Sequence, residues 1–234
     1  MTVKKSIKEL MLGDVINTSI KVNNTWHRFP LVCCGLSEDK DSALLLSECL
    51  LPQIQMNNVN IDRYDGCYVD TFLSSNFKNS ISHELNQSLV KTRMQDRGDC
   101  IRREIFLPSS QEIACRFRDA LICNVGSFSS RYWASAHSLL SDTGLSRPYW
   151  LRTPHHDLGF YYITYNGNQF VSRPYECDYW LRPCFSVSLD TIVLSEEKYD
   201  GVHAHYVRCY NLVGRAASNC IQIENDVFMD LLLS

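Results

Sequence analysis

The stretch FYYITYNGNQFVS, residues 160–172, carries the strongest local signal in the sequence. Residues that favour β-strands stand on both sides of Asn166-Gly167, and both of those positions tolerate the positive φ angles that a tight turn requires. The pattern predicts two antiparallel strands joined by a two-residue turn. A β-hairpin near the C-terminus is therefore the first element that the sequence establishes.

A short motif recurs on either side of this hairpin. YWLRTP at 149–154 is matched thirty residues later by YWLRP at 179–183. One recurrence is too few for a solenoid, which needs at least three units. We interpret it as two equivalent strand starts that flank the hairpin. Arg152 and Arg182 recur within it, and we expect them to bind buried carboxylates or carbonyls, because a guanidinium suits that role.

The N-terminal half predicts a second hairpin. Residues 25–34 read as a strand, and residues 42–49 read as another strand, joined by a polar turn. The run Ala43-Leu44-Leu45-Leu46 does not alternate with polar residues, which indicates a strand that is buried on both faces. Together the two strands suggest a hairpin.

Helical spacing appears in three places. Asp70 is a candidate N-cap for a helix that buries Phe72, Leu73 and Phe77 on one face, and Ser80 or Ser82 can begin a second short helix. Ser109 with Glu112 three residues later forms a capping box, followed by Ile113, Phe117 and Leu121 at four-residue spacing. That spacing predicts a helix over 110–122 with its apolar side toward the core.

Composition restricts the class of protein and its partners. The chain has 234 residues, 45% of them hydrophobic and 21% charged, with a net charge of −3. These are ordinary values for a globular protein. A negative net charge gives no global attraction to nucleic acid, and the arginines between 93 and 118 are interleaved with acidic residues. We therefore predict a solvated, salt-bridged surface there and no nucleic-acid partner.

The sequence also indicates where the protein is made. The first ten residues contain no long apolar run, and no stretch approaches the roughly 20 apolar residues that span a bilayer. We expect synthesis in the cytoplasm without a signal peptide and no membrane partner. Release inside a virion by cell lysis is one route to the outside.

The 11 cysteines have irregular spacing and form no C-x-x-C motif. We interpret them as reduced thiols, most of them buried, with a Cys177–Cys184 disulfide as the alternative. His155-His156, or His203 and His205 with Cys209, could offer metal ligands, as could Glu176 and Asp178. No spacing among them matches a structural zinc site. We predict no metal and no cofactor.

An ordered set of short motifs resembles a bacterial and phage family of unknown function. That family carries Trp-Leu-Arg-Ser-Pro, a Tyr/Asn/Gly-rich hairpin and Val-Arg-Pro-Ala, and the matching residues here are Trp150, Arg152, Pro154, Trp180, Arg182 and Pro183. Upstream motifs that match in order are Gly13-Asp14, Trp26, Ala43–Ser47, Phe72-Leu73 with Phe77, and Phe106–Ser109. The resemblance covers about residues 8–190. It departs from the family pattern at Leu181 and Cys184, where Val and Ala are common.

The resemblance implies a fold. The family is similar to C-type-lectin-like domains, including those of formylglycine-generating enzymes and of phage variable receptor-binding proteins. This implies an α+β protein: a C-type-lectin-like mixed sheet with two or three flanking helices and a C-terminal β-hairpin that serves as a display surface. We place that domain at residues 1–194 and a C-terminal extension at 195–234, which packs on the domain or mediates assembly.

Aromatic residues are concentrated in this C-terminal part. Of 26 aromatic residues, 11 fall between Tyr149 and Phe185. We expect Trp150, Trp180 and Phe185 to be buried. The others mix with small polar groups, a combination that suits adaptable recognition and stacking on sugar rings. The predicted ligand-binding residues are His155, His156, Asp157, Tyr161, Tyr165, Asn166, Asn168, Tyr175, Glu176 and Asp178.

Three functions are compatible with these features. The first is a non-enzymatic binding module of a phage or prophage particle that recognises a cell-surface ligand, such as a carbohydrate, through the hairpin. The second is a structural or assembly protein that contacts other virion proteins or forms a homo-oligomer. The third is a Cys-dependent oxidase of the formylglycine-generating type, using Cys177 or Cys184. No nucleophile motif or phosphate-binding loop supports an enzyme, so the first is favoured.

Overall fold

The computed structural model describes residues 4–116, 136–138, 146–157, 159–164, 167–196 and 209–212. Strands predominate among them. The strands are β1 Lys4–Ser6, β2 Val15–Val22, β3 Thr25–Leu36, β4 Ser42–Ser47, β5 Cys49–Leu50, β6 Thr92–Asp96, β7 Asp99–Arg103, β8 Ile105–Phe106, β9 Ala136–Ser138, β10 Ser146–Arg147, β11 Tyr149–His155, β12 Gly159–Ile163, β13 Gln169–Ser172, β14 Cys184–Ser188, β15 Ile192–Glu196 and β16 Cys209–Leu212.

The helical segments are short. They are a 3-10 turn at Ile7–Glu9, α1 Tyr68–Phe72, a π-helical turn Leu73–Phe77, α2 Lys78–Ser80, α3 His83–Ser88, and a second π-helical turn Glu112–Arg116. The α+β class is therefore confirmed, with strands as the larger part. No helix in the described part of the chain is long and apolar enough to cross a membrane.

The main sheet has the strand order β1-β15-β16-β2-β3-β4-β14-β8. The β16–β2 pair is parallel and the other neighbours are antiparallel, so the sheet is mixed. The predicted β3–β4 hairpin is confirmed, and every residue of β4 is buried. Residues 209–212, which the sequence places in the extension, form a strand inside this sheet between β15 and β2.

The core lies between the main sheet and the helices over it. Phe77, from the π-helical turn, packs edge-on against Phe29 with ring centroids 5.9 Å apart and lies 6.1 Å from Phe185. Phe29 and Phe185 belong to β3 and β14, so these rings join helix to sheet. All three are fully buried. The prediction that Phe185 belongs to the core is confirmed.

The N-cap of α1 differs from the prediction. The cap is Cys67, whose sulfur accepts a hydrogen bond from the Asp70 amide at 3.3 Å. Asp70 lies inside the first turn, and its carboxylate receives the Nε and Nη2 groups of Arg103, each at 2.7 Å. Arg103 of β7 therefore binds the Asp70 carboxylate, which the sequence pattern had predicted as the N-cap. Ser82 caps α3, as one of the two predicted alternatives has it.

The helix predicted at 110–122 begins with the expected capping box. The Ser109 amide donates to the Glu112 carboxylate at 2.8 Å, and the Glu112 amide donates to Ser109 Oγ at 3.1 Å. Residues 110 and 111 are α-helical and lead into the π-helical turn. Ile113 is buried as predicted. Phe117 and Leu121 lie outside the described residues.

A salt-bridged surface accompanies the β6–β7 hairpin, as the sequence predicts, but with other partners. Arg97 pairs with Asp62, and Arg103 pairs with Asp65 as well as Asp70. These acids come from the loop and helix at 62–70 rather than from the acidic residues interleaved with the arginines. Neighbours in sequence point away from one another along a strand, so the arginines reach a facing loop instead.

The C-terminal hairpin forms as a separate three-stranded sheet in the order β11-β12-β13. Ile163 pairs with Gln169, and the Thr164 amide donates to the Asn168 carbonyl at 2.8 Å. Three residues therefore lie between Thr164 and Asn168, the last hydrogen-bonded pair, so the prediction of a two-residue turn is wrong. Gly167 takes a φ of 81°, which fits a three-residue loop that ends in a left-handed residue.

Candidate ligand-binding surface

The recurring motif forms two neighbouring parallel segments. Tyr149 pairs with Trp180 in a parallel bridge, and the Trp150 amide donates to the Trp180 carbonyl at 2.9 Å. The Trp180 amide in turn donates to the Pro148 carbonyl at 2.9 Å. Both tryptophans are buried, as predicted. The hairpin is thus held at its base by the two copies of the motif lying side by side.

The two arginines of the motif have structural partners. Arg152 binds the Glu112 carboxylate with both terminal nitrogens and donates to the Leu107 carbonyl at 2.8 Å. Arg182 donates from Nε to the Ser47 carbonyl at 3.0 Å. This confirms the expectation of buried carboxylate and carbonyl partners. The two prolines of the motif lie next to these contacts. Pro154 pairs with Phe160 of β12, and the Pro183 carbonyl accepts a hydrogen bond from the Ser47 amide at 2.9 Å.

Four aromatic side chains form a continuous stack from the core to solvent, which we name the aromatic ladder: Trp150, Tyr179, Tyr162 and Phe170. Ring centroids are 4.3 Å apart for Trp150 and Tyr179, 4.2 Å for Tyr179 and Tyr162, and 6.3 Å for Tyr162 and Phe170. Trp150 is fully buried, whereas Phe170 is 54% exposed. The ladder therefore presents a supported aromatic face to solvent.

The ladder is held rigidly at its inner end. The Trp150 indole N–H donates to the Ile54 carbonyl at 2.9 Å. Burial, together with a hydrogen bond to Tyr179, raises the pKa of Tyr162 to about 12. Such a side chain offers large contact area with little conformational entropy to lose on binding.

A second group, which we name the histidine turn, contains His155, His156, Asp157 and Tyr161. The His155 ring lies 4.3 Å from His156 and 5.5 Å, edge-on, from Tyr161. His156 Nε2 lies 2.7 Å from an Asp157 oxygen, and both side chains are exposed. The Asp157 amide donates to His155 Nδ1 at 3.3 Å. Four of the predicted ligand-binding residues are thus brought together.

The other predicted residues do not join that group. Asn168 lies at the far end of β12, which spans about 13 Å from Gly159 to Ile163. Tyr175 is 37% exposed, and its hydroxyl accepts from Arg173 at 2.7 Å. The Asp178 carbonyl accepts from Gln53 at 3.2 Å, and the Glu176 amide donates to the Arg173 carbonyl at 3.2 Å. Tyr165 and Asn166 lie outside the described residues.

The histidine turn and the aromatic ladder lie on opposite faces of the hairpin sheet. Tyr161 and Tyr162 are consecutive in β12, and consecutive strand residues point to opposite faces. A single ligand face therefore does not hold every predicted residue. Phe170, Tyr162 and Tyr179 were missed in the sequence. The strand register aligns the ladder, because Tyr162 pairs with Phe170 on one side and with Trp150 on the other.

The cysteines do not form the predicted alternative disulfide. Cys177 is exposed and Cys184 is buried, and both thiols are free. Burial raises the pKa of Cys184 well above its usual value, which disfavours the thiolate that a nucleophile requires. Within the described ranges, no three His, Cys, Asp or Glu side chains gather as metal ligands. His203 and His205 lie outside those ranges.

Comparison with known proteins assigns a family. Residues 40–189 match a family described as Domain of unknown function (DUF6273). No curated protein and no solved structure matches the chain. The matched residues include β4, both copies of the recurring motif, the aromatic ladder and the histidine turn. Because the match spans more than half of the sequence, the chain belongs to the DUF6273 family of domains of unknown function.

Proposed function

We propose that this protein is a non-enzymatic binding module that recognises a carbohydrate-bearing cell-surface ligand through its C-terminal hairpin. The observation that supports it is the aromatic ladder, in which an exposed Phe170 is backed by Tyr162, Tyr179 and buried Trp150. A partner that covers this exposed ring gains free energy, because apolar surface is removed from water. A flat ring of this kind suits stacking on the apolar face of a sugar.

Polar groups near the hairpin supply the remaining part of a recognition surface. Asn168 is exposed at the end of the sheet, two residues before Phe170. Amide side chains can both donate to and accept from sugar hydroxyls. The histidine turn on the opposite face offers a second set of polar and aromatic groups. The ladder is the face that we favour, because it combines an exposed ring with a rigid support.

We further propose a C-type-lectin-like fold and a place on a phage or prophage particle. The support for the fold is the order of motifs in the sequence together with a mixed sheet, flanking helices and a C-terminal hairpin. The support for the particle is the resemblance of those motifs to phage proteins. Both refine the binding proposal, and a recognition role does not depend on either.

The experiment compares binding of the labelled protein with a panel of bacterial cells and a glycan array. We expect saturable binding by the unaltered protein and a loss on the order of ten-fold in affinity for Phe170→Ala, since one stacked aromatic contact is removed. Phe170 is more than half exposed, so its truncation leaves the core intact. Tyr161→Ala reports on the histidine turn separately.

The matched control is Trp26→Ala. Trp26 is 41% exposed but lies in β3, outside the hairpin sheet, so its removal should leave binding unchanged. A loss in Tyr161→Ala but not in Phe170→Ala would move the binding face to the histidine turn. Absence of binding to every cell type and glycan by the folded protein would refute the proposal.

A second candidate function is assembly with other copies or other virion proteins. Met11, Leu12 and Leu36 are 60%, 44% and 44% exposed, and a Cβ on the intervening Gly35 would lie 3.2 Å from Leu12. These apolar side chains belong to β3 and to the segment before β2, outside the hairpin sheet. Light scattering on the purified protein distinguishes this function, since a concentration-dependent oligomer that Leu12→Asp disrupts would favour assembly.

A further inference from the structure

A cavity of about 300 Å³ lies between four parts of the fold: the start of the helix at 110–116, the β6–β7 hairpin, the turn between β3 and β4, and β11. Its volume equals that of roughly ten water molecules, which suits a small organic ligand. Arg152 and Glu112 lie in its wall. This cavity is separate from the exposed face of the aromatic ladder, and we name it the Arg152 pocket.

Arg152 is fixed in this pocket on three sides. Its terminal nitrogens bind both oxygens of Glu112, and Nη1 also donates to the Leu107 carbonyl. The guanidinium lies over the Phe106 ring, with its central carbon 5.2 Å from the ring centroid. Burial favours the neutral form, but the Glu112 carboxylate outweighs it and raises the pKa of Arg152, which therefore remains a cation. The orientation of its remaining donors is thus determined.

One edge of this guanidinium has no partner. Arg152 is 5% exposed, and its buried Nε has no hydrogen bond. The terminal nitrogen on the same side as Nε, Nη2, uses one of its two hydrogens for Glu112. Nε–H and the second Nη2 hydrogen are therefore parallel donors on one edge, an arrangement that matches the two oxygens of a carboxylate. An unsatisfied buried donor of this kind is costly unless a ligand or water engages it.

A second group in the same pocket also lacks a partner. The Ser110 hydroxyl is buried and makes no hydrogen bond, although the Ser110 amide donates to Thr153 Oγ1 at 2.8 Å. The backbone of Ser110 is therefore anchored beside β11 while its hydroxyl remains available. Both orphaned groups line one cavity and both can donate to an oxygen anion.

The rest of the lining suits an anion with an apolar body. Leu44, Met94 and Phe106 supply buried apolar surface. The charged lining residues are three arginines and two glutamates, a net charge of +1. Arg93 and Arg97 are the exposed arginines of the lining, and Arg97 is paired with Asp62.

We propose that the Arg152 pocket binds a small organic carboxylate, held by the Nε edge of Arg152 and by the Ser110 hydroxyl. The apolar wall contacts the body of the ligand, and the Glu112 ion pair keeps the guanidinium in place. This is a small-molecule site in addition to the hairpin surface. It requires neither the cell-surface ligand nor any other part of the proposed function.

The test uses ligand-observed NMR with a panel of small carboxylates that includes lactate, benzoate and cyclohexanecarboxylate, each beside its primary amide, and inorganic phosphate. We expect at least one carboxylate to bind on the order of ten-fold more tightly than its amide, because only the carboxylate makes charge-assisted hydrogen bonds. Ser110→Ala should weaken that binding about three- to ten-fold. Its fold should be preserved, since the hydroxyl has no partner in the protein.

Controls separate this site from general effects. Ser75→Ala alters an exposed helical serine outside the pocket and should bind the carboxylate as the unaltered protein does. Phe170→Ala should also bind it normally. Equal affinity for acid and amide, tighter binding of phosphate, an unchanged affinity in Ser110→Ala, or no binding of any carboxylate would each overturn the proposal.

Discussion

Gly159 packs so closely against Ser172 that a Cβ on Gly159 would lie 2.4 Å from the Ser172 carbonyl oxygen. The same Cβ would lie 2.9 Å from the Pro174 ring, and the φ of Gly159 is +115°, a value that other residues rarely adopt. We expect Gly159→Ala to lower the free energy of unfolding by more than about 2 kcal/mol, from backbone strain and overpacking together. Urea denaturation measures this directly.

The matched control is Gly66→Ala. Gly66 has a φ of +73°, but a Cβ there would have nothing within 4 Å. Only the cost of the left-handed conformation applies, so we expect a loss of about 1 kcal/mol. If the two variants were equally stable, the close approach of Ser172 and Pro174 would not be what limits the side chain at position 159.

The ion pair between Arg152 and Glu112 is the second feature that we expect to control stability. Both residues are buried, so Arg152→Met leaves the Glu112 carboxylate without its partner in a low-dielectric environment. The expected loss is about 3–5 kcal/mol in the free energy of unfolding, measured by urea denaturation.

The exposed pair between Arg97 and Asp62 provides the comparison. Their side chains are 36% and 58% exposed, so water and salt screen the interaction. Arg97→Met should cost between 0 and about 1 kcal/mol. A loss of similar size in both variants would show that burial does not govern the contribution of these arginines.

Trp150 joins the hairpin to the chain segment around Ile54. Trp150→Phe removes the indole N–H that donates to the Ile54 carbonyl and leaves space in a fully buried site. We expect a loss of about 2–4 kcal/mol in the free energy of unfolding from the lost hydrogen bond and the cavity. Trp26→Phe, at a 41% exposed position, should stay within about 0.5 kcal/mol of the unaltered protein.

The elements that the sequence predicts correctly are those encoded by neighbouring residues. The β3–β4 hairpin, the burial of β4, the capping box of Ser109 and Glu112, and the C-terminal hairpin all follow from short-range patterns. The N-cap of α1 does not, because Asp70 binds Arg103, which lies 33 residues away in sequence. Local propensity contains no information about that partner.

The candidate site was harder to predict than the fold for a related reason. Of the ligand-binding residues predicted from the composition of the hairpin, the structure brings His155, His156, Asp157 and Tyr161 together. The aromatic ladder depends on the register of three strands and on Tyr179 from outside the hairpin. The free edge of Arg152 depends on which of its nitrogens Glu112 occupies, and only a three-dimensional arrangement specifies that.

Stability at alkaline pH provides the last prediction, through the thiol of Cys67. Burial raises its pKa from an ordinary value of 9.0 to about 12. Above pH 9 the unfolded chain loses this proton while the folded protein keeps it, so the unfolded state binds fewer protons and stability falls as pH rises. Between pH 9 and pH 10 this thiol alone should lower the free energy of unfolding by about 1 kcal/mol.

Cys67→Ser isolates that contribution. Serine is a good N-cap and does not ionise in this range, so the variant keeps an acceptor for the Asp70 amide and loses the titration. Urea denaturation at both pH values should show a fall that is smaller by about 1 kcal/mol than in the unaltered protein. Cys177→Ser, at an exposed position, should retain the full pH dependence. Identical pH dependence in Cys67→Ser and the unaltered protein would mean that the Cys67 thiol ionises as readily in the folded state as in the unfolded state.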